Sequence, residues 1–244
     1  MLLELDGVRI LTDPLLVDRL GVLHRHTEAV DRMLAGIEPD LVLISHGHHD
    51  HLHVPSLRRL RGRGRIVVPR GLGRLLEGRR EVVEVEVGQD LDVGSVRITA
   101  VRAVHHGGRR PFGPASTPLG FLIAGSTRVY FAGDTDLFPE MATLAGKVDV
   151  ALLPVWGWGP RLGVGHLDPA RAAEAVTRIT PRVAIPIHWG TFYPFAFARI
   201  WPLPLAAPPQ DFAREVAARA PQTEVRILAP GEATELPPTS FAAR

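Results

Sequence analysis

Short apolar runs, each closed by a turn signal or a polar cluster, divide the chain into strands from its first residues onward. "LLELDGVRILTDP" reads as two strands around Asp6-Gly7, a favoured two-residue hairpin turn, and Pro14 ends the second. The same reasoning predicts strands at "DLVLI" (40–44), "RIVV" (65–68), "EVVEVEVG", "SVRITAVRAV" (95–104), "GFLIAG", "RVYFAG", "VDVALLPV", "RVAIPI" and "EVRIL". Helical signals are fewer. Residues 28–35 are weakly helical, "PSLRRL" opens with Pro55 at a first helical position, and "GLGRLLEG" is a short helix closed by Gly78. The best helix is "DPARAAEAVTRI" (168–179), with Asp168 as N-cap and Pro169 behind it; a last one covers about 209–219. The Pro-containing tail is expected to fray. No repeat or linker interrupts the pattern, which predicts a single α/β domain over residues 1–244 with more hairpins than a doubly wound fold.

The strands share one feature: histidines or aspartates stand just past their ends, after residues 44, 104, 132 and 187. Strand ends project side chains from a rigid sheet edge, so these four could converge. The densest cluster, "LVLISHGHHDHLHVPSL" (41–57), holds five of the eleven histidines. Neutral imidazole with carboxylate is a standard donor set for zinc where thiolates are lacking. In it, His46 and His48 are two apart and Asp50 and His51 adjacent, so a turn can aim the first pair at one metal and the second at another.

Composition narrows the chemistry. The 244 residues are 45% apolar and 22% charged, ordinary for a globular protein. The formal charge is only +2 and gives no case for nucleic acid. The pI near 9.6 reflects arginine, because Lys147 is the single lysine and there is no cysteine. Without cysteine there are no disulfides, thiolate ligands or cysteine nucleophile. No apolar run approaches a membrane span of roughly 18 residues. "MLLELDGVRI" lacks the features of a signal peptide, so a cytoplasmic protein is expected.

The motif His46-Gly47-His48-His49-Asp50-His51 resembles the H-x-H-x-D-H signature of the metallo-β-lactamase fold superfamily of binuclear metallohydrolases. "LTDP" (11–14), "AVHHGGR" (103–109), "FAGDTD" (131–136) and "PIHWGTF" (186–192) follow in the family's order, over essentially the whole chain. "GHLDPARAAEAV" before "HWGTF" is most similar to the branch of ascorbate-6-phosphate lactonase and N-acylphosphatidylethanolamine phospholipase D type enzymes. The resemblance implies a four-layer αββα sandwich. It implies that His46, His48 and His105 hold a first metal and Asp50, His51 and His188 a second, with Asp134 bridging. The two divalent ions would be zinc, with manganese or iron as alternatives. Histidine, not glutamate, at position 48 points away from oxygen-reducing di-iron relatives. His106 is the alternative to His105, and His49 and His53 are not expected to be ligands. His53 stands where relatives often carry an acid, which bears on how Asp50 is oriented. His24 and His26 are read as exposed in a polar loop. Relatives usually begin with one further strand before "LLELDGVRI", so the first sheet is expected to lack it, through a start assigned too late or a bare edge.

Asp50 and His166 are the candidate catalytic residues, His166 by resemblance as a group facing substrate beside the metals. Arg109, Trp156, Trp158 and Phe192 are candidate substrate contacts; Arg110 adjoins the first of them. Aromatics at "WGWGP" and "TFYPFAFARIW", interrupted by Pro and Gly, are expected to make no regular element and to wall a pocket in part. The expected reaction is attack by a metal-bridging hydroxide on a phosphodiester or a phosphorylated lactone or ester. The alternatives are an uncharged ester, lactone or amide, a nuclease using the arginines between 58 and 80, and a non-catalytic metal-binding scaffold. The expected partner is a small or lipid-like ester, with nucleic acid disfavoured and a homo-oligomer compatible with the sequence.

Overall fold

The computed structural model describes residues 1–27, 38–76, 81–109, 113–159 and 161–239. The helical reading of 28–35, the Gly78 stop, Arg110 and the last arginines of the 58–80 stretch lie outside them.

Two mixed sheets stack face to face. The first has the order β1 (Leu2–Leu5), β2 (Val8–Thr12), β5 (Leu41–Leu43), β6 (Arg65–Pro69) and β7 (Val82–Val85). The second runs β15 (Glu224–Val225), β13 (Val183–Ile187), β12 (Val150–Pro154), β11 (Arg128–Phe131), β10 (Leu119–Ala124), β9 (Val96–Arg102) and β8 (Asp90–Val93). A small third sheet joins β14 (Phe192–Pro194), β4 (Leu23–Arg25) and β3 (Arg19–Leu20).

Side-chain alternation explains the layering. Leu41 and Leu43 enter the core between the sheets with Phe121, Phe131, Val150 and Leu152, whereas Val42 and Ile44 point to the opposite face. There they meet Leu57 of helix α1 (Val54–Arg59) and Leu72. Tyr130, Ala151 and Leu153 leave the other side of the sandwich to pack against α2 (Pro169–Ile179) and α4 (Ala207–Arg219). The central strands are therefore buried on both faces, which is why they read as unbroken apolar runs. The outcome is the αββα order.

The expected hairpin forms, with Asp6 and Gly7 both at positive φ, as a two-residue turn of this kind demands. Helix α2 starts where Asp168 accepts from the Arg171 amide at 2.8 Å, and ends at Thr180 in the left-handed region. Its Ala172, Ala175, Val176 and Ile179 face the sheet.

Five readings need correction. "GLGRLL" makes a 3₁₀ turn over Gly73–Leu76, not an α-helix. "EVRIL" pairs with β13 at only two positions before turning away, as Arg226 bonds to Glu224 and the Glu235 carbonyl. One further strand, the edge strand β8, has no counterpart in the sequence reading, because its aspartates are exposed and it reads as polar. His24 lies in β4, not a loop, because Tyr193 of β14 lies opposite it, a partner distant in sequence. The aromatic run does form regular elements, β14 and helix α3 (Phe195–Ile200). The tail, expected to fray, is held as far as Thr239, whose hydroxyl reaches buried Asp149. Asp149 also forms a two-pronged pair with Arg128, at 2.9 Å on each oxygen.

Removing the α2 cap in Asp168→Ala is expected to cost about 1 kcal/mol. Urea denaturation would read this as a lower midpoint at unchanged slope, and no change in midpoint would show the cap to be idle.

Candidate metal centre

Strands β2, β5 and β6 run parallel in one sheet, and β11, β12 and β13 in the other. Their carboxyl ends release Asp13, residues 45–51, Asp134 and His188 at one edge of the sandwich, and the loop after β9 adds His105. Two turns need special backbone. Gly133 adopts φ +61°, and a Cβ there would lie 2.6 Å from that of Ser45. His188, with a side chain, is nonetheless held at φ +61° directly past β13, a strain that persists only where surroundings enforce it.

The structure brings His46, His48 and His105 into one group and Asp50, His51 and His188 into another, with ligand atoms in each within 4.8 Å of one another. Asp134 stands at both: its Oδ1 is 3.4 Å from His188 Nε2 and its Oδ2 is 3.3 Å from His51 Nε2 in the second group, and it also clusters with His105 of the first, ligand atoms within 4.8 Å. Asp134 Oδ2 also lies 3.6 Å from Nε2 of His166, whose Nδ1 lies 3.2 Å from the Gly163 carbonyl.

Hydrogen bonds decide what each imidazole can offer. His51 Nδ1 donates to Asp13 Oδ2 at 2.7 Å, leaving Nε2 as the free lone pair. Ser45 donates its hydroxyl proton to the same oxygen at 2.5 Å and so accepts from His46 Nδ1 at 2.9 Å. His46 Nε2 is thereby bare, buried and without a partner. His105 Nδ1 donates to the Gly165 carbonyl at 2.7 Å, and His188 Nδ1 to the Trp156 carbonyl at 3.0 Å. With Nδ1 committed outward, these four rings turn their Nε2 atoms toward one space. His51 and His188 face each other through Nε2 atoms 3.2 Å apart, and His105 Nε2 faces His48 Nδ1 at the same distance. Two lone pairs that close repel unless a cation lies between them. This donor set of nitrogens and carboxylate oxygens fits two divalent ions.

The electrostatics agree. Burial holds His46 well below the ordinary histidine range, pulls His48 down, and lowers His105 to about 4, so these rings are neutral at physiological pH. Burial also pulls on His51, but Asp134, Asp50 and Asp13 together outweigh it and raise His51 well above that range. With no metal, a proton on His51 does what a cation would do. Burial pushes the Asp134 carboxyl upward, yet the surrounding histidines hold it well below its usual range.

The remaining candidates fall elsewhere. His106 is exposed, belongs to neither group, and accepts from the Gly108 amide at 3.2 Å. His53 caps α1 by accepting from Ser56. Arg109 donates to the carbonyls of Gly47 at 2.6 Å and Leu52 at 2.9 Å, and to His49 Nδ1 at 3.1 Å, so its guanidinium braces the histidine loop. Trp158 and Phe192 line a cavity of about 1070 Å³ that reaches Asp50, Asp134 and His188. Trp156 meets the site through its backbone carbonyl. Asp13 and Ser45 carry no role in the sequence reading. The signal for Asp13 was available: it follows an apolar strand directly, as the ligands do.

A family model described as "Beta-lactamase superfamily domain" matches residues 8–189. The chain is 35% identical to a UPF0173 metal-dependent hydrolase of Methanopyrus kandleri, over 95% of this chain and 94% of that protein. It is 31% identical to a metal-dependent hydrolase of the same group from Thermoplasma acidophilum, over 75% and 76%. Among solved structures it resembles Igni18, a metallo hydrolase from Ignicoccus hospitalis, with a TM-score of 0.72 and 26% identity over 95% of this chain and 91% of that one.

Two outcomes follow from this geometry. Asp13→Ala and Asp13→Asn should each weaken metal binding by about 10–100-fold, measured by titration calorimetry of the demetallated chain. Equal affinity in Asp13→Asn would show that ring orientation does not depend on this carboxylate. The second concerns the metal-free chain. His105 in the fold titrates near 4 instead of 6.5, so between those values the unfolded chain binds the proton first and stability is lost as pH falls. The denaturation midpoint should drop from pH 6.5 to 4, and less steeply in His105→Gln.

Proposed function

This chain belongs to the β-lactamase superfamily and is a metal-dependent hydrolase, and from that premise we propose that it works with two divalent ions, most simply zinc, on an ester or phosphodiester carrying an apolar group. The observation that carries the reading is the double set of facing imidazole nitrogens with Asp134 common to both. Bound there, two such ions would supply Lewis acidity and make a shared water acidic enough to act as nucleophile near neutral pH.

The chain's own residues do the rest. His46, His48 and His105 would hold one ion, Asp50, His51 and His188 the other, and Asp134 would span them. Asp13 and Ser45 keep the proton of His51 and of His46 on Nδ1, turned away from the centre. Burial lowers the affinity of His166 for its proton, but the hydrogen bond and charge of Asp134 outweigh it, so His166 is raised above its ordinary value. With Nδ1 at the Gly163 carbonyl and Nε2 turned to Asp134, the ring is placed beside the reacting position to protonate a leaving group or to steady a developing oxyanion. Trp158, Trp189 and Phe192 along the cavity supply an apolar wall for the substrate's non-reacting part.

A second reading, an uncharged ester, lactone or amide, is favoured by one observation: Arg109 is occupied by loop carbonyls, so its guanidinium is not set out to fork a phosphate. Initial rates on p-nitrophenyl esters against bis-p-nitrophenyl phosphate separate the two.

Elemental analysis after reconstitution should give two metals per chain, falling toward one in His188→Ala. A saturating value of one in the wild type would remove the two-ion reading. His166→Ala should keep both metals while kcat falls about 10²–10⁴-fold. The loss should shrink with good leaving groups if His166 protonates them, and stay constant if it steadies an oxyanion. Loss of metal would instead make His166 a ligand.

A further inference from the structure

Helix α3 has no buried residue, although nearly all of it is apolar. Phe197 and Ile200 lie three positions apart, on one face, and are 43% and 80% exposed; Trp201, the residue that closes the helix, is 44% exposed. Phe195 is 51% exposed, under the Arg199 guanidinium and against the His24 ring. Beside it, because Leu23 pairs with Pro194, the β3–β4 turn presents Val22 at 71% exposure. One hairpin tip and one short helix, on neighbouring elements, thus expose large apolar side chains of a kind that marks an interaction site.

Its charge is one-sided. Between His188 and Asp211 the sequence contains a single charged residue, Arg199. Arg199 and Arg19 are exposed at the patch, and Asp18, the nearby acid, is paired with Arg25 at 3.7 Å. The patch is also continuous with the metal centre's approach: α3 follows β14 directly, and Phe192 and Trp189 just before it line the cavity.

We propose that this face docks on an anionic lipid bilayer, with the α3 aromatics, Ile200 and Val22 entering the interface and Arg199 and Arg19 meeting the headgroups. Aromatic and aliphatic side chains on one face with arginine at its margin are the composition that lies in a membrane interface. A second copy of the chain suits the face less well. A two-fold contact centred here would set Arg199 and Arg19 near their own counterparts, with no exposed, unpaired acid among the described residues of the patch to meet them. Docking would bring the cavity mouth to the membrane, where an ester with an apolar group is concentrated.

Sedimentation of the full metal-loaded chain with vesicles tests this. Binding is expected to phosphatidylcholine vesicles containing phosphatidylserine, to weaken on phosphatidylcholine alone, and to weaken with added salt. Phe197→Ser with Ile200→Ser should reduce the bound fraction at least tenfold, and Arg199→Gln should reduce the preference for phosphatidylserine. Metal content and circular dichroism should match the wild type in both variants, since none of these side chains is part of the metal centre. No binding to anionic vesicles, or binding that the double substitution leaves intact, overturns the proposal. So does a dimer in analytical ultracentrifugation that Ile200→Ser dissociates, which would assign the face to a second copy. Two metals per chain in a protein that ignores vesicles would sink the docking and leave the hydrolase reading standing.

Discussion

One carboxylate sets the conditions under which the centre can exist. Asp13 accepts from the Ser45 amide, the Ser45 hydroxyl and His51 Nδ1, and through that hydroxyl it also governs His46. A single hydrogen-bond chain therefore assigns the tautomer of one ring in each half of the site. Were Asp13 neutral or absent, nothing would oblige either ring to turn its lone pair inward. The local fold serves this arrangement. Gly133 lets the Asp134 loop pass against Ser45, and Asp13 itself sits at positive φ so that its carboxylate meets the neighbouring strand end.

The sandwich explains how side chains from five loops reach one point without a cofactor-sized scaffold of their own. Parallel strands in both sheets end at the same edge; the loop after β5 contributes His46, His48, Asp50 and His51, while β11 and β13 contribute Asp134 and His188. The core fixes where those ends lie, and the carbonyls of Gly165 and Trp156 fix the last two rings. This second layer ties His105 to the loop before α2, so that histidine and the loop bearing His166 are mechanically joined. The wall of that region includes Trp158, Trp189 and Phe192, and the last two lead along the chain into α3, so one segment joins the chemistry at the strand ends to the exposed apolar helix.

Much of the fold was legible because the signals were local. Buried strands read as apolar runs, the Asp6-Gly7 turn and the Asp168-Pro169 cap carry their own chemistry, and both lie where expected. Elements that depend on a remote partner were not legible. β4 exists because Tyr193 is opposite His24, and nothing near residue 24 announces it. The exposed β8 and the helix among interrupted aromatics were missed for the same reason: periodicity reports burial, and these elements are barely buried.

For the site, the sequence by itself determined the donor atoms. Histidines and aspartates at strand ends, with no cysteine anywhere, leave nitrogen and carboxylate oxygen as the ligands, and residue type is written in the chain directly. Only tertiary structure decided which nitrogen of each ring faces the centre, because that is settled by acceptors distant in sequence: Asp13 for His51, Gly165 for His105, Trp156 for His188. It also set His105 and His106 apart, adjacent residues of which the first joins the cluster with His46 and His48 and the second is exposed. Arg109 shows the same limit. Its charge is readable from its letter, but whether that charge meets a substrate or the loop's own carbonyls depends on where Gly47 and Leu52 come to lie.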